Sequence, residues 1–302
     1  MTTISRHANA PHRFAANGHN SFSKTFVMEK ILLVINAHKP NLASISFACK
    51  TAEETGSKIT GLFIENLFYR PAAQLDEASY FSSISESEAA TEVVTDTEQA
   101  VQLFVQECAL QKVQTETYMD KGEPIQEVIF ESRFADLLIV DPHMNFYDGE
   151  EQIPSHFTKE ILANAECPVL LAPDDLEEIN QVAFCYDGSA SAAFAIKQFT
   201  YLMPSYKNKK ALLLQVSGSG KGELDEDHRR LMAWMRAHYA IVTFEALKGQ
   251  AKDELLTHFF MHTGVMVVMG SYGRSLLSNF FKHSAAEGLI RTVDLPIFIT
   301  HH

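Results

Sequence analysis

Positive charge is scarce in this 302-residue chain: 25 lysines and arginines stand against 38 aspartates and glutamates, a formal charge of −13. A binder of phosphate backbones needs a basic footprint, so no nucleic-acid partner is expected. The four cysteines, Cys49, Cys108, Cys167 and Cys185, are scattered with no C-x-x-C pair. They read as small buried hydrophobes of a reducing, cytoplasmic setting, neither a disulfide framework nor a zinc site. No apolar run reaches the length of a membrane span, so no membrane partner is expected. A Walker lysine and the G-x-S-x-G elbow of a serine hydrolase are both missing, and Asp187-Gly-Ser189 has no assignable His/Asp partner. Catalytic turnover is thus the least supported role, at most a slow ATPase.

Apolar periodicity is missing from residues 1–27 as well. That stretch is rich in Asn, His, Ser and Ala and has no signal-peptide core. It reads as a disordered tail or an upstream-extended start, and is set apart from the fold.

What is present from Met28 onward is a repeat. Lys30–Asn36 (KILLVIN) is a short apolar run, followed by the helix-like ASISFACKTAEETGSK and a second run, ITGLFIE. VAFCYD (182–187), SAAFAIKQFTYLMPSYK and ALLLQVS repeat that order. ADLLIV (135–140) matches GVMVVM (264–269), and CPVLLAP (167–173) matches LPIFITH (295–301). Short apolar runs without alternation, separated by helical patterns, predict parallel strands covered on both faces. Each half reads β-α-β-α-β-α-β-β, giving two tandem doubly wound α/β domains. The acidic segment APDDLEEINQ (172–181) separates them, so the expected units are 28–174 and 175–302. The first carries an extra loop at about 66–95, read as a connector and the start of a helix. The apolar closing strands of both halves are expected to pair edge to edge as an intramolecular pseudo-dimer, since bare edges invite partners. A homodimer of tandem chains is a further possibility.

The stretch MGSYGRSLLSNFFKHS (269–284) carries the candidate chemistry. Gly270 is expected to permit a tight turn after the strand, and Gly273 to let the chain pass close to a ligand without a Cβ in the way. Ser284 falls at a helix start, where free N–H groups and a hydroxyl hold phosphate oxygens, and Arg274 adds positive charge. On spacing alone, a glycine-punctuated turn with an ordinary Ser N-cap fits equally well.

The repeat order, the VAFCYDGSASAAFAI opening and the late MGSYGRS…HS motif together resemble the universal stress proteins in their tandem two-domain form. The resemblance runs from about Glu29 to His302 and implies the adenine nucleotide alpha hydrolase-like fold. Nucleotide-binding members carry G-x₂-G-x₉-G-[ST] here and an aspartate after the first strand. This chain matches with Gly270, Gly273, Ser284 and Asp187, but has His283 at the third glycine. What the resemblance implies is ATP, with or without Mg²⁺, in the C-terminal half. Its contacts would be Asp187, Gly188, Val216 and Gly249 on the adenosine side. Met269, Gly270, Gly273, Arg274, His283, Ser284 and Ala285 would form the phosphate side. The implied role is in stress response, through nucleotide-biased conformation or association; the alternative is an interaction module without nucleotide.

The first half departs from that pattern. Its loop, DPHMNFYDGEE (141–151), lacks both opening glycines and adds negative charge, and its first strand ends in Asn36. No ATP is expected there. His258 and His262 lie one helical turn apart, a metal-compatible spacing, but no H-E-x-x-H glutamate or third ligand accompanies them. Met232 and Trp234 read as core of an amphipathic helix.

Overall fold

The computed structural model describes residues 28–65, 86–120, 123–146, 151–217, 226–270 and 285–300. The first half runs β1 (Lys30–Asn36), α1 (Leu42–Thr55), β2 (Lys58–Ile64), α2 (Glu86–Leu110), β3 (Thr115–Asp120), α3 (Pro124–Ser132), β4 (Leu137–Val140), α4 (His156–Asn164) and β5 (Val169–Leu171). The second runs β6 (Gln181–Cys185), α5 (Ala190–Leu202), β7 (Lys210–Ser217), α6 (Glu226–His238), β8 (Ile241–Lys248), α7 (Ala251–Phe259), β9 (Val265–Gly270), α8 (Ala285–Thr292) and β10 (Ile297–Thr300). The expected β-β ending of each half is corrected, because a helix separates the last two strands in both. Those strands are parallel neighbours, and a parallel pair needs a crossover where an antiparallel pair needs only a hairpin. Residues 1–27, most of the extra loop and residues 271–284 lie outside the described residues.

All ten strands form one sheet in the order β3-β2-β1-β4-β5-β10-β9-β6-β7-β8. Every pairing is parallel except β5 with β10, where Ile297 faces Leu171 and Ile299 faces Val169. The outermost-to-seam order 3-2-1-4-5 of the first half recurs as 8-7-6-9-10 in the second. Two three- and four-residue edges that would each lie open therefore close on one another at the seam.

Both sheet faces are covered, which explains the unalternated apolar runs. Ile31, Leu33 and Ile35 enter one apolar layer, with Ile45 and Cys49 of α1, Phe104 of α2, Phe199 of α5 and Met235 of α6. Leu32 and Val34 enter the other, with Val128 of α3, Ile161 of α4, Leu255 of α7 and Leu289 of α8. Met232 is buried, with Trp234 packed partly buried against the same layer, as read for an amphipathic helix. Each layer runs across the seam without interruption. Helix starts follow local chemistry: Asn41 caps α1 by accepting from the Ala43 and Ser44 N–H, and Ser189 caps α5 by accepting from the Ala192 N–H. Among the described residues no helix is long and apolar enough to cross a membrane.

The distribution of helices sets the location of any ligand. The helix after β6 lies on one face and those flanking β9 on the other, so the chain leaves these adjacent strands in opposite directions. In open α/β sheets, the crevice at such a switch point is where ligands sit. The same holds for β1 and β4.

Candidate functional site

At the second switch point, β6 and β9 run in register with Phe184 opposite Val268. Asp187 follows the end of β6, Gly270 ends β9, and both lie at the carboxyl edge of the sheet. The Asp187-Gly188-Ser189 turn is tight: the Asp187 Oδ1 accepts from the Ser189 N–H at 2.9 Å, and Gly188 sits at φ 85°. Glycine takes that left-handed conformation without Cβ strain.

Gly270 has a different job from the one read in the sequence. It does not turn the chain but completes β9, opposite Thr300 of β10. A Cβ built on it would lie 2.5 Å from the Ser191 carbonyl carbon and 2.6 Å from the Ala192 nitrogen. The missing side chain lets the first turn of α5 press against the strand end. Backbone, not a mobile side chain, occupies the space.

Val216 and Met269 meet on the second apolar layer: Met269 is buried, and Val216, partly buried, packs on the same layer as Leu247, its pairing partner on β8. Cys185 pairs with Leu214, which brings Asp187 level with Val216 across the β6–β7 pair. Desolvation, followed by the Asp187 charge, pushes the Cys185 thiol up to about 12. Gly249 just follows β8 and donates its N–H to the Ser217 carbonyl. At φ 154°, the space its Cβ would take is filled by the Glu254 side chain. Glu254 was missed in the sequence because nothing in AKDEL marks one carboxylate of a helix first turn over its neighbours. The structure thus brings Asp187, Gly188, Val216, Gly249, Met269 and Gly270 to one sheet edge. Ala285 opens α8. Gly273, Arg274, His283 and Ser284 lie outside the described residues.

The first switch point is built differently. Asp141 stands where Gly270 stands in the second half, buried at 7% exposure. Its Oδ2 accepts from Asn41 Nδ2 at 2.8 Å and its Oδ1 from the His143 N–H at 2.7 Å. A side-chain bond therefore spans the crevice from the cap of α1 to the end of β4. Asn36 replaces the aspartate: its Nδ2 donates to the Asn145 carbonyl at 2.9 Å, and its Oδ1 accepts from the His38 N–H at 3.0 Å. Met144 and Phe146 are buried beneath. A cavity remains, lined by Asn36, Asn41, Ser44, Asp141, His143 and Asn145, with a volume near 370 Å³. Beside it, burial raises the Asp174 carboxyl above its ordinary range, opposed by His143, whose Nε2 lies 3.4 Å away.

His258 and His262 stack, ring centroids 4.8 Å apart, and His258 Nδ1 lies 3.7 Å from Glu245 Oε1. Among the described residues no group of three His, Cys, Asp or Glu side chains is arranged to hold a metal.

No protein-family model matches the chain, and no curated protein resembles it in sequence. Its structure is similar to that of a universal stress protein from Archaeoglobus fulgidus DSM 4304, with a TM-score of 0.69 at 17% identity, covering 92% of this chain and 97% of that one. It is also similar to a functionally unknown protein from Pseudomonas aeruginosa PAO1, with a TM-score of 0.57 at 13% identity, covering 92% and 94%. Sheet order and crossovers define a doubly wound α/β protein. More narrowly, the chain has the universal stress protein fold over nearly its whole length.

Proposed function

We propose that the protein binds an adenine nucleotide, ATP above all, at the carboxyl edge of β6 and β9, and acts as a universal stress protein whose conformation or association the nucleotide biases. In this reading residues 175–302 form the nucleotide-binding unit, and residues 28–174 a unit of the same topology whose crevice is bridged by its own polar side chains. The observation that carries it is the pairing of Asp187 with a side-chain-free strand end, Gly270, at a topological switch point. The residues fit the adenosine portion: Asp187 and Glu254 offer carboxylates to ribose hydroxyls, and Val216 an apolar wall to the base. The phosphates, with Mg²⁺ where present, fall to the segment from Gly273 to Ala285, where backbone N–H groups and the Ser284 hydroxyl are the donors and Arg274 the charge.

Calorimetric titration with ATP, ADP and AMP tests this. Charge-assisted hydrogen bonds contribute about 1.5–3 kcal/mol each, so Asp187→Ala is expected to weaken ATP roughly tenfold or more. Gly273→Val is expected to abolish binding with the fold intact. His283→Gly tightens ATP if the imidazole obstructs the phosphates, and weakens it, most clearly below pH ~6.5, if the ring contacts them. Absence of binding heat for all three nucleotides, with none released from the purified protein, leaves the interaction module as the role.

A further inference from the structure

Cys49 and Cys108 have no part in the nucleotide site, yet their thiols lie side by side in the core. Cys49 lies in the middle of α1 and Cys108 near the end of α2, both wholly buried, with their sulfurs 3.0 Å apart. A disulfide bond is about 2.05 Å long, so closure asks for a relative movement of about 1 Å. The two helices are already held in register around the pair. Ser46 Oγ donates to Glu107 Oε1 at 2.7 Å, one residue from Cys108, and Gln111 Nε2 donates to the same carboxylate oxygen. On the far side the Val113 N–H donates to the Cys108 carbonyl. Neither Cys167 nor Cys185 makes a sulfur–sulfur contact among the described residues.

We propose that this pair is an oxidative cross-linking site: a peroxide converts the Cys49 and Cys108 thiols to an intramolecular disulfide that ties α1 to α2. One thiolate attacks a peroxide oxygen; the S–O bond forms, the O–O bond breaks, and hydroxide leaves as water with a thiol proton. The second sulfur then attacks the sulfenic sulfur; the S–S bond forms, the S–O bond breaks, and a second water leaves with the remaining thiol proton. Two thiols and one hydrogen peroxide give one disulfide and two waters, the two electrons passing to the peroxide. The hydrogen bond to Cys108 and then burial push the Cys49 thiol well above the ordinary thiol range. The reaction at neutral pH is therefore slower than at an exposed cysteine.

The cross-link would join residues 59 apart in sequence. Closing so long a loop restricts the unfolded chain, so the oxidised protein should melt a few degrees higher than the reduced one. The test treats the full-length native protein with hydrogen peroxide, alkylates remaining thiols after denaturation, and maps the peptides. The expected result is a single linked pair, Cys49 with Cys108, lighter by about 2 Da than the reduced pair and restored by dithiothreitol. A Cys167→Ala/Cys185→Ala variant should behave as the native chain does, whereas Cys49→Ala should lose both the linked peptide and the peroxide-dependent rise in melting temperature. Recovery of Cys49 and Cys108 fully alkylated, or oxidised only to separate sulfinic acids, overturns the proposal and leaves them as packed thiols. Because the mapping is done on the native sequence, the answer stands even if a variant folds poorly.

Discussion

The two switch points are made by the same topology and differ in what stands at two positions. At the end of the strand beside the crevice, one half has Asp141 and the other Gly270. At the end of the strand on its other side, one has Asn36 and the other Asp187. In the first half the polar atoms satisfy one another: Asn41 to Asp141, Asp141 to the His143 backbone, Asn36 to Asn145 and His38. In the second, the strand end has no side chain and α5 moves in against it. The first crevice is bridged by a side-chain bond from Asn41 to Asp141, and the second has glycine at that place, so no such bridge can form there. The same strand order thus sets the same crevice twice while the residues at it differ.

The sharpest way to break this contrast is to give the second half the side chain it lacks. Gly270→Val drives a branched group into the Ser191 and Ala192 backbone, which cannot yield as a side-chain tip would. Overpacking of this kind costs about 1–3 kcal/mol and more where backbone must move. Denaturant unfolding should show a loss at or above that range, and ATP titration a loss of binding. The mirror change, Asp141→Gly, removes a carboxylate that already has partners. It should free Asn41 Nδ2 and cost less, about 1–3 kcal/mol.

Exchanging the other position is the next test. Asn36→Asp replaces an amide that donates to the Asn145 carbonyl with a buried acceptor facing an acceptor. A penalty of about 1–3 kcal/mol is expected in the unfolding free energy, with no gain of ATP binding because Asp141 remains. Asp187→Asn keeps the bond from the Ser189 N–H, since its Oδ1 can still accept. Its readout is nucleotide affinity. If Asn36→Asp confers ATP binding, the first half is closed by that residue alone and the account of Asp141 fails.

Smaller effects are expected at the helix caps. Asn41→Ala and Ser189→Ala each remove an N-cap worth about 1 kcal/mol, but only Asn41 also bridges to Asp141. Asn41→Ala should therefore cost more than Ser189→Ala in paired denaturation curves. Equal losses would show that the Asn41–Asp141 bond adds nothing to the capping.

Much of this difference was legible in the residues themselves. Unbroken runs such as LLVI and VMVVM mark strands covered on both faces, and the matching order of runs yields the same topology twice. The replacement of glycine by the DPHMN stretch at once marks the first site as altered. The seam followed from apolar closing strands that needed cover. Other features depend on distances between residues remote in sequence. Gly270 reads as a turn until α5 is seen lying on it, because the reason for its small size sits 80 residues earlier. Glu254 gains meaning only from its approach to Gly249, and the Cys49–Cys108 pair only from the packing of α1 on α2. The helix before the last strand was missed in the first half, because nine residues carry too few turns for a clear period, whereas that of the second was read from Ser284 onward.

The smallest expected effect separates the halves by pH. His258 belongs to the second half, packed beside Glu245, His262 and Phe259. Desolvation lowers its pKa from the ordinary imidazole value, Glu245 opposes the shift, and His262 adds to it. A group depressed in the folded state binds its proton more readily when unfolded, so its contribution to stability is present above about pH 6.5 and declines as the pH falls through the folded value. Melting temperatures between pH 7.5 and pH 5 should therefore fall, and His258→Gln, which cannot take up the proton, should flatten that part of the profile. Glu245→Gln removes the opposing carboxylate and should steepen it. A profile in which His258→Gln falls as far as the native chain assigns the acid sensitivity to other groups.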